Sequence, residues 1–104
     1  MNNPLVYNVT TKVSHAIHEA WLNWLRTEYI PAMIATGCFS HATALHLIEQ
    51  DDEEGITYAV QYFAASIEDY ERFCQADKER LRALSFAKWG NQFISFSTLM
   101  QVVH

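Results

Sequence analysis

The chain has 104 residues, 50% of them apolar, with 12 acidic against 7 basic side chains and a formal net charge of −5. That length gives a single domain, residues 1–104, with one modest core, and the apolar fraction argues against disorder. The negative balance speaks against nucleic-acid or anionic-membrane partners, which need a basic surface to release counterions. No apolar run approaches the ~20 residues that span a bilayer. The start, Met1-Asn2-Asn3-Pro4, has no basic segment followed by an apolar one, so no signal peptide is predicted. Cys38 and Cys74 are too few for a disulfide scaffold. A reduced, cytoplasmic protein is expected.

Leu5 to Thr11 is rich in β-branched and aromatic residues and follows Pro4, so it predicts a first strand. Ser14 is a good N-cap for the helix that follows. On that helix Ile17, Trp21, Trp24, Leu25 and Glu28 fall on one stripe at 3.6 residues per turn. Pro31 lacks a donor and pushes Ile30 from helical angles, so the helix should kink or restart there. Gly37 supplies a left-handed C-terminal cap.

Phe39 to Glu49 predicts a second strand, Asp51 to Gly55 an acidic turn, and Ile56 to Ala65 a third strand, the two strands forming a hairpin. Ser66, with Asp69 three residues on, approximates a capping box and opens a second helix. Tyr70, Phe73, Cys74, Leu81 and Leu84 make its apolar stripe, and Gly90 stops it. Phe93 to Val103 is the fourth strand.

Strand, helix, strand, strand, helix, strand is the ferredoxin-like βαββαβ order. It predicts an α+β domain, a four-stranded antiparallel sheet with two helices on one face. A sheet with one wet face should alternate apolar and polar residues. Here the third strand carries Ile56, Tyr58, Val60 and Tyr62 on one face and Ala59, Phe63 and Ala65 on the other. The fourth carries Phe93 and Leu99 against Ile94, Phe96 and Met100. Two helices cover one face only, so a homodimer through the second sheet face is expected.

Several segments together resemble a small bacterial family defined as a domain of unknown function. They are Trp21-x-x-Trp24-Leu25, Tyr29-Ile30-Pro31, Ala35-Thr36-Gly37-x-Phe39 and Tyr58 to Ala64. Glu68-Asp69-Tyr70, Phe73 and Phe93-x-x-Phe96-x-Thr98-Leu99 complete the pattern. That family is similar to the dimeric α/β-barrel superfamily, in which two ferredoxin-like sheets close into one barrel. The superfamily includes antibiotic-biosynthesis monooxygenases, haem-degrading enzymes, muconolactone isomerases and dye-decolourising peroxidases. Where the family carries a histidine before the Ile-Pro pair, this chain has Tyr29, which weighs against histidine chemistry there. The resemblance leaves the cofactor unknown, since no histidine matches an axial haem position. Fold likeness does not fix a reaction.

Glu28 is the one catalytic candidate, because a carboxylate on the Trp21/Trp24 stripe would face the sheet with a raised pKa suited to acid–base work or ligand capture. The plainer reading is that the Pro31 kink turns it outward. Asn8 and Gln61 are polar residues in strands expected side by side at the sheet centre, as in a small-molecule site. Satisfied structural amides explain them more simply. Trp24, Tyr29, Tyr58 and Tyr62 suit an apolar pocket or stacking on a flat ligand, and core packing accounts for them equally.

Metal sites find little support. His15 and His18 lie one turn apart at a solvated helix start, and His41 and His46 point to opposite faces of one strand. Cys38 and His41 lack a second ligand pair, and the acidic run 51–54 lacks a calcium-loop spacing. Asp77 suits a cap on a restarted helix better than catalysis. The expected function is a homodimer binding a small apolar or aromatic molecule between helices and sheet, through Asn8, Trp24, Glu28, Tyr29 and Gln61. The alternative is a cofactor-independent monooxygenase or isomerase. Sheet-face RNA binding fits the topology and is opposed by the acidic charge.

Overall fold

Strand β1 (Leu5–Val13) takes the centre of the sheet, hydrogen-bonded along both edges over its full nine residues. In a computed structural model describing residues 3–49 and 51–103, it pairs antiparallel with β3 (Ile56–Ala64) on one side and β4 (Phe93–Gln101) on the other. β2 (His41–His46) pairs with β3, giving the order β2-β3-β1-β4. The helical segments are α1 (His18–Trp24), α2 (Ile30–Ala35), α3 (Ile67–Ala76) and α4 (Lys78–Trp89). This is the ferredoxin-like fold, with both helical layers on one face of an antiparallel sheet.

Alternation decides what each face carries. Tyr7, Val13, Tyr58, Val60 and Tyr62 point to the helices and join Trp21, Trp24, Leu25, Met33, Phe39, Phe73 and Leu81 in one core. Full burial of Met33, Phe73 and Leu81 contributes about 2 kcal/mol each. The other face, uncovered, carries Val6, Asn8, Thr10 and Lys12 of β1, with Phe63, Gln61 and Ala59 beside them on β3.

The first helical layer holds the largest departure from simple periodicity. Between α1 and α2 the residues Leu25–Tyr29 form a π-helical turn, in which the Ile30 N–H donates to the Leu25 carbonyl five residues back. Pro31 explains it: its ring would strike the Thr27 carbonyl and has no N–H to give, and a widened turn relieves both conflicts. Thr27 Oγ1 donates to the Asn23 carbonyl at 2.8 Å. The restart expected at Pro31 is present, with the proline in the first turn of α2.

The second layer is two helices, not one. Backbone angles at Asp77 (φ −128°, ψ −25°) break it between α3 and α4. Asp77 stands at the start of α4 as expected, but its carboxylate pairs with Arg80 at 2.7 Å and caps no backbone N–H. Ser66 does cap α3, its Oγ accepting from the Asp69 N–H at 3.2 Å. Asp69 turns to Arg72 instead of completing a box, at 3.1 Å.

Some expected boundaries shift. β1 continues to Val13, and β2 is shorter than Phe39–Glu49 because Cys38 and Phe39 dive into the core before pairing begins. Ser14 does not cap α1: its N–H and hydroxyl bind Gln92, at 3.0 and 3.2 Å. Leu84, expected inside, is 51% exposed.

Candidate ligand-binding site

The sheet is thinly upholstered under α4, and a cavity results. On its helix-facing side β4 presents Ser95 and Ser97, opposite Thr11 and Val9 of β1. On α4, Lys78, Arg82, Ser85 and Phe86 follow the i, i+4, i+7, i+8 pattern of one helical face. Serines below and polar side chains above cannot fill the layer as aliphatic residues would. The space left is about 540 Å³, within the range of small-molecule sites. Residues from both faces of β4 line it, so it reaches the β4 edge of the sheet.

Its deeper wall is aromatic. Trp21, Trp24, Leu25, Tyr29 and Met33 come from α1, the π-helical turn and α2, and Tyr7, Val60 and Tyr62 from the sheet. The Trp24 ring packs against Tyr29 at 4.9 Å between centroids and edge-on against Trp89 at 5.7 Å. Tyr7 joins the cavity to the core through Tyr62, Tyr70 and Phe73, with centroids 6.3, 5.5 and 5.6 Å away. Burial, with the Tyr7 phenol nearby, pushes the Tyr29 hydroxyl up to about 12. Burial drives Tyr62 further in the same direction, and both remain neutral O–H groups across the physiological range. The Trp89 indole N–H is buried without an acceptor among the described residues.

Among the described residues no aspartate, glutamate, histidine or cysteine lines the cavity, and the charged ones that do are Lys78 and Arg82. The Lys78 ammonium lies 5.8 Å from the centre of the Tyr7 ring. Arg82 is mostly in solvent and stands 3.9 Å from an equally exposed Glu79.

The five residues expected to form one site do not converge. Trp24 and Tyr29 line the cavity. Glu28 is exposed and outside it, correcting the inward placement drawn from ideal helical spacing. The π-helical turn carries the buried stripe through Trp21, Leu25, Tyr29 and Met33, so Glu28 is bypassed. Asn8 and Gln61 do lie side by side in register, but on the open face, across the sheet from Trp24 and Tyr29. Asn8 Nδ2 donates to Thr10 Oγ1 at 3.1 Å, a local structural bond.

Other polar residues also separate. Tyr58 lies off the cavity, sharing a hydrogen bond with His18 Nε2 and packing against Trp21 and His46, at 5.7 and 5.2 Å. Burial raises the Tyr58 pKa. His15 reaches the Asp52 carbonyl instead of joining His18. His41 stacks on Phe63 of the open face at 4.3 Å, while His46 sits over Tyr58 on the other. Among the described residues no group of three or more His, Cys, Asp and Glu could hold a metal ion. No described helix is long and apolar enough to cross a membrane.

Lys78, Arg82 and the β4 serines were not singled out from sequence. Their signal was present in the alternation of Ser95 and Ser97, and in a helix whose four-residue spacing brings cations where aliphatics were expected.

A family model described as "Domain of unknown function (DUF4286)" matches residues 4–103. The chain belongs to this DUF4286 family. No curated protein matches the DUF4286 chain in sequence. Its fold is similar to that of a dimeric ferredoxin-like protein from an uncultured marine organism, with TM-score 0.76, 8% identity, and coverage of 98% of this chain and 97% of that one. It is also similar to SnoaB, a cofactor-independent oxygenase from Streptomyces nogalater, with TM-score 0.67, 14% identity, and coverage of 98% and 95%. A monooxygenase from the gene ActVA-Orf6 of Streptomyces coelicolor, in complex with the ligand Nanaomycin D, gives TM-score 0.67, 12% identity, and coverage of 98% and 89%. At these identities the likeness is one of fold.

Proposed function

We propose that this DUF4286 chain is a homodimer in which each protomer binds a small apolar or aromatic molecule in the cavity between helices and sheet. The observation that carries the reading is the cavity itself, about 540 Å³ walled by Trp21, Trp24, Tyr29 and Tyr62 over a floor of small residues. Flat apolar ligands gain both from apolar burial and from ring packing on such a wall. The dimer is supported by the open sheet face, where Leu45, Ile94, Phe96 and Met100 are 43, 71, 65 and 38% exposed. Large apolar side chains exposed on a sheet face suit an interaction site, and a dimeric neighbour shares the fold. Asn8 and Gln61, with Thr43 and Thr98 in the same cross-strand row, then serve the interface by fixing its register.

Calorimetric titration with 2-naphthamide, a neutral flat probe, tests the cavity. Binding is expected in the native protein and in a Glu28→Gln variant. It should be lost in Ser97→Phe, which fills the floor while leaving the far-ultraviolet circular dichroism unchanged. Binding that survives Ser97→Phe, or no binding at all, overturns the reading.

A second reading, a cofactor-independent oxygenase acting in the same cavity, draws on the SnoaB and ActVA-Orf6 neighbours. Among the described residues the lining offers no carboxylate or imidazole as a general base, which favours binding over catalysis. Oxygen uptake above a protein-free control, with an aromatic hydroquinone as substrate, would reverse that order.

A further inference from the structure

Resting on the cavity as a ligand site, we infer that its ligands are planar organic anions, aromatic carboxylates above all, held with the anionic end at the Lys78 ammonium. The charge pattern points there. The chain carries a formal net charge of −5, yet among the described residues its cavity is lined by two cations and no anion. Lys78 is half-buried and forms no ion pair among the described residues, while Arg72, Arg80 and Arg82 each have a carboxylate within reach. An ammonium with no carboxylate beside it is free to pair with an anionic ligand that enters the cavity. The Tyr7 ring, its centre 5.8 Å from the ammonium, holds the side chain over the sheet.

The hydroxyls point the same way. Tyr29 and Tyr62 place phenolic O–H donors in the same lining, which among the described residues holds no ionised acceptor. A bound carboxylate offers acceptor oxygens to these donors and the ammonium. The indole wall of Trp21 and Trp24 requires the rest of the ligand to be flat and apolar. Arg82 contributes less, because its charge is largely hydrated.

The test compares 2-naphthoate with 2-naphthamide, two ligands of the same ring and nearly the same shape, by calorimetry on the 104-residue chain. In the native protein naphthoate should bind about tenfold more tightly, the scale of a hydrogen bond to a charged group. Lys78→Met should erase that preference, with the far-ultraviolet circular dichroism of the native protein showing that the variant folds. Lys78→Arg should restore most of the preference, and Arg82→Met should reduce it by less than about threefold. Equal affinities in the native protein, or a preference that survives Lys78→Met, sink the charge assignment and leave the cavity reading standing. Failure of both probes to bind sinks the two together.

Discussion

Tyr29 shows how residue type decides what a position in the cavity wall can do. A histidine there would bring a base into the cavity; a buried phenol, pushed up to about 12, brings a neutral donor that ionises only in strong alkali. The sign of its linkage follows directly. A folded pKa above the ordinary value of 10.0 means the native state holds its proton longer than the unfolded state. Stability tied to Tyr29 is therefore intact below pH 10 and declines as pH rises from 10.0 toward 12. The slope attributable to one group cannot exceed about 1.4 kcal/mol per pH unit. Tyr29→Phe should accordingly show a shallower loss of denaturant stability than the native protein across that window, with the two curves parallel between pH 7 and 9. Parallel curves above pH 10 would mean that Tyr29 is not desolvated. Glu28, one residue earlier, illustrates the reverse: a carboxylate suited to chemistry by type, and placed in solvent by a single extra residue in the turn.

At the scale of elements, the junctions carry the specificity. Gly37 ends the first helical layer with φ +79°, and a Cβ there would meet nothing within 4 Å. Gly37→Ala should therefore cost only the backbone preference, about 1 kcal/mol. Gly55 opens β3 where the chain passes close to the end of β1, and a Cβ would lie 2.3 Å from the Val13 carbonyl oxygen. That contact is with backbone, which cannot swing away. Gly55→Ala should cost about 3 kcal/mol, by steric overlap instead of dihedral preference. Chemical denaturation of both variants checks the ranking, and equal losses would show that the β1–β3 approach relaxes freely. The break at Asp77 matters in another way, since it sets α4 on its own axis with Lys78, Arg82 and Ser85 over the cavity.

For the whole molecule, the governing fact is a sheet with apolar side chains on both faces and helices on one. The open face rows place Phe63, Val6 and Met100 together, and Ala59, Thr10 and Phe96 together, with the Gln61–Asn8–Thr98 row between them. Met100→Glu puts a charge in that surface without touching the core. If the proposed dimer forms there, sedimentation should shift from a pair of chains to a single 12.0 kDa species, with circular dichroism preserved. A native protein that already sediments as one chain would remove the dimer, and a dimer indifferent to Met100→Glu would place its interface elsewhere.

Strand and helix order, the apolar second face and the capping serine at position 66 were legible in the sequence because each depends on local periodicity or on one residue's own hydrogen bonding. Trp21, Trp24 and Leu25 were legible as one buried stripe, whereas Tyr29 joins it only through the π-helical turn. The breaks at Pro31 and Asp77 were legible too, and an outward Glu28 was the plainer reading. What lay beyond reach was their outcome, a π-helical turn over 25–29 and Lys78 and Arg82 in the cavity lining. The face on which Asn8 and Gln61 stand depended on pairing register. A period fixes which residues share a face, while only the packed chain decides which face meets which, since one inserted residue or one broken turn rotates everything after it.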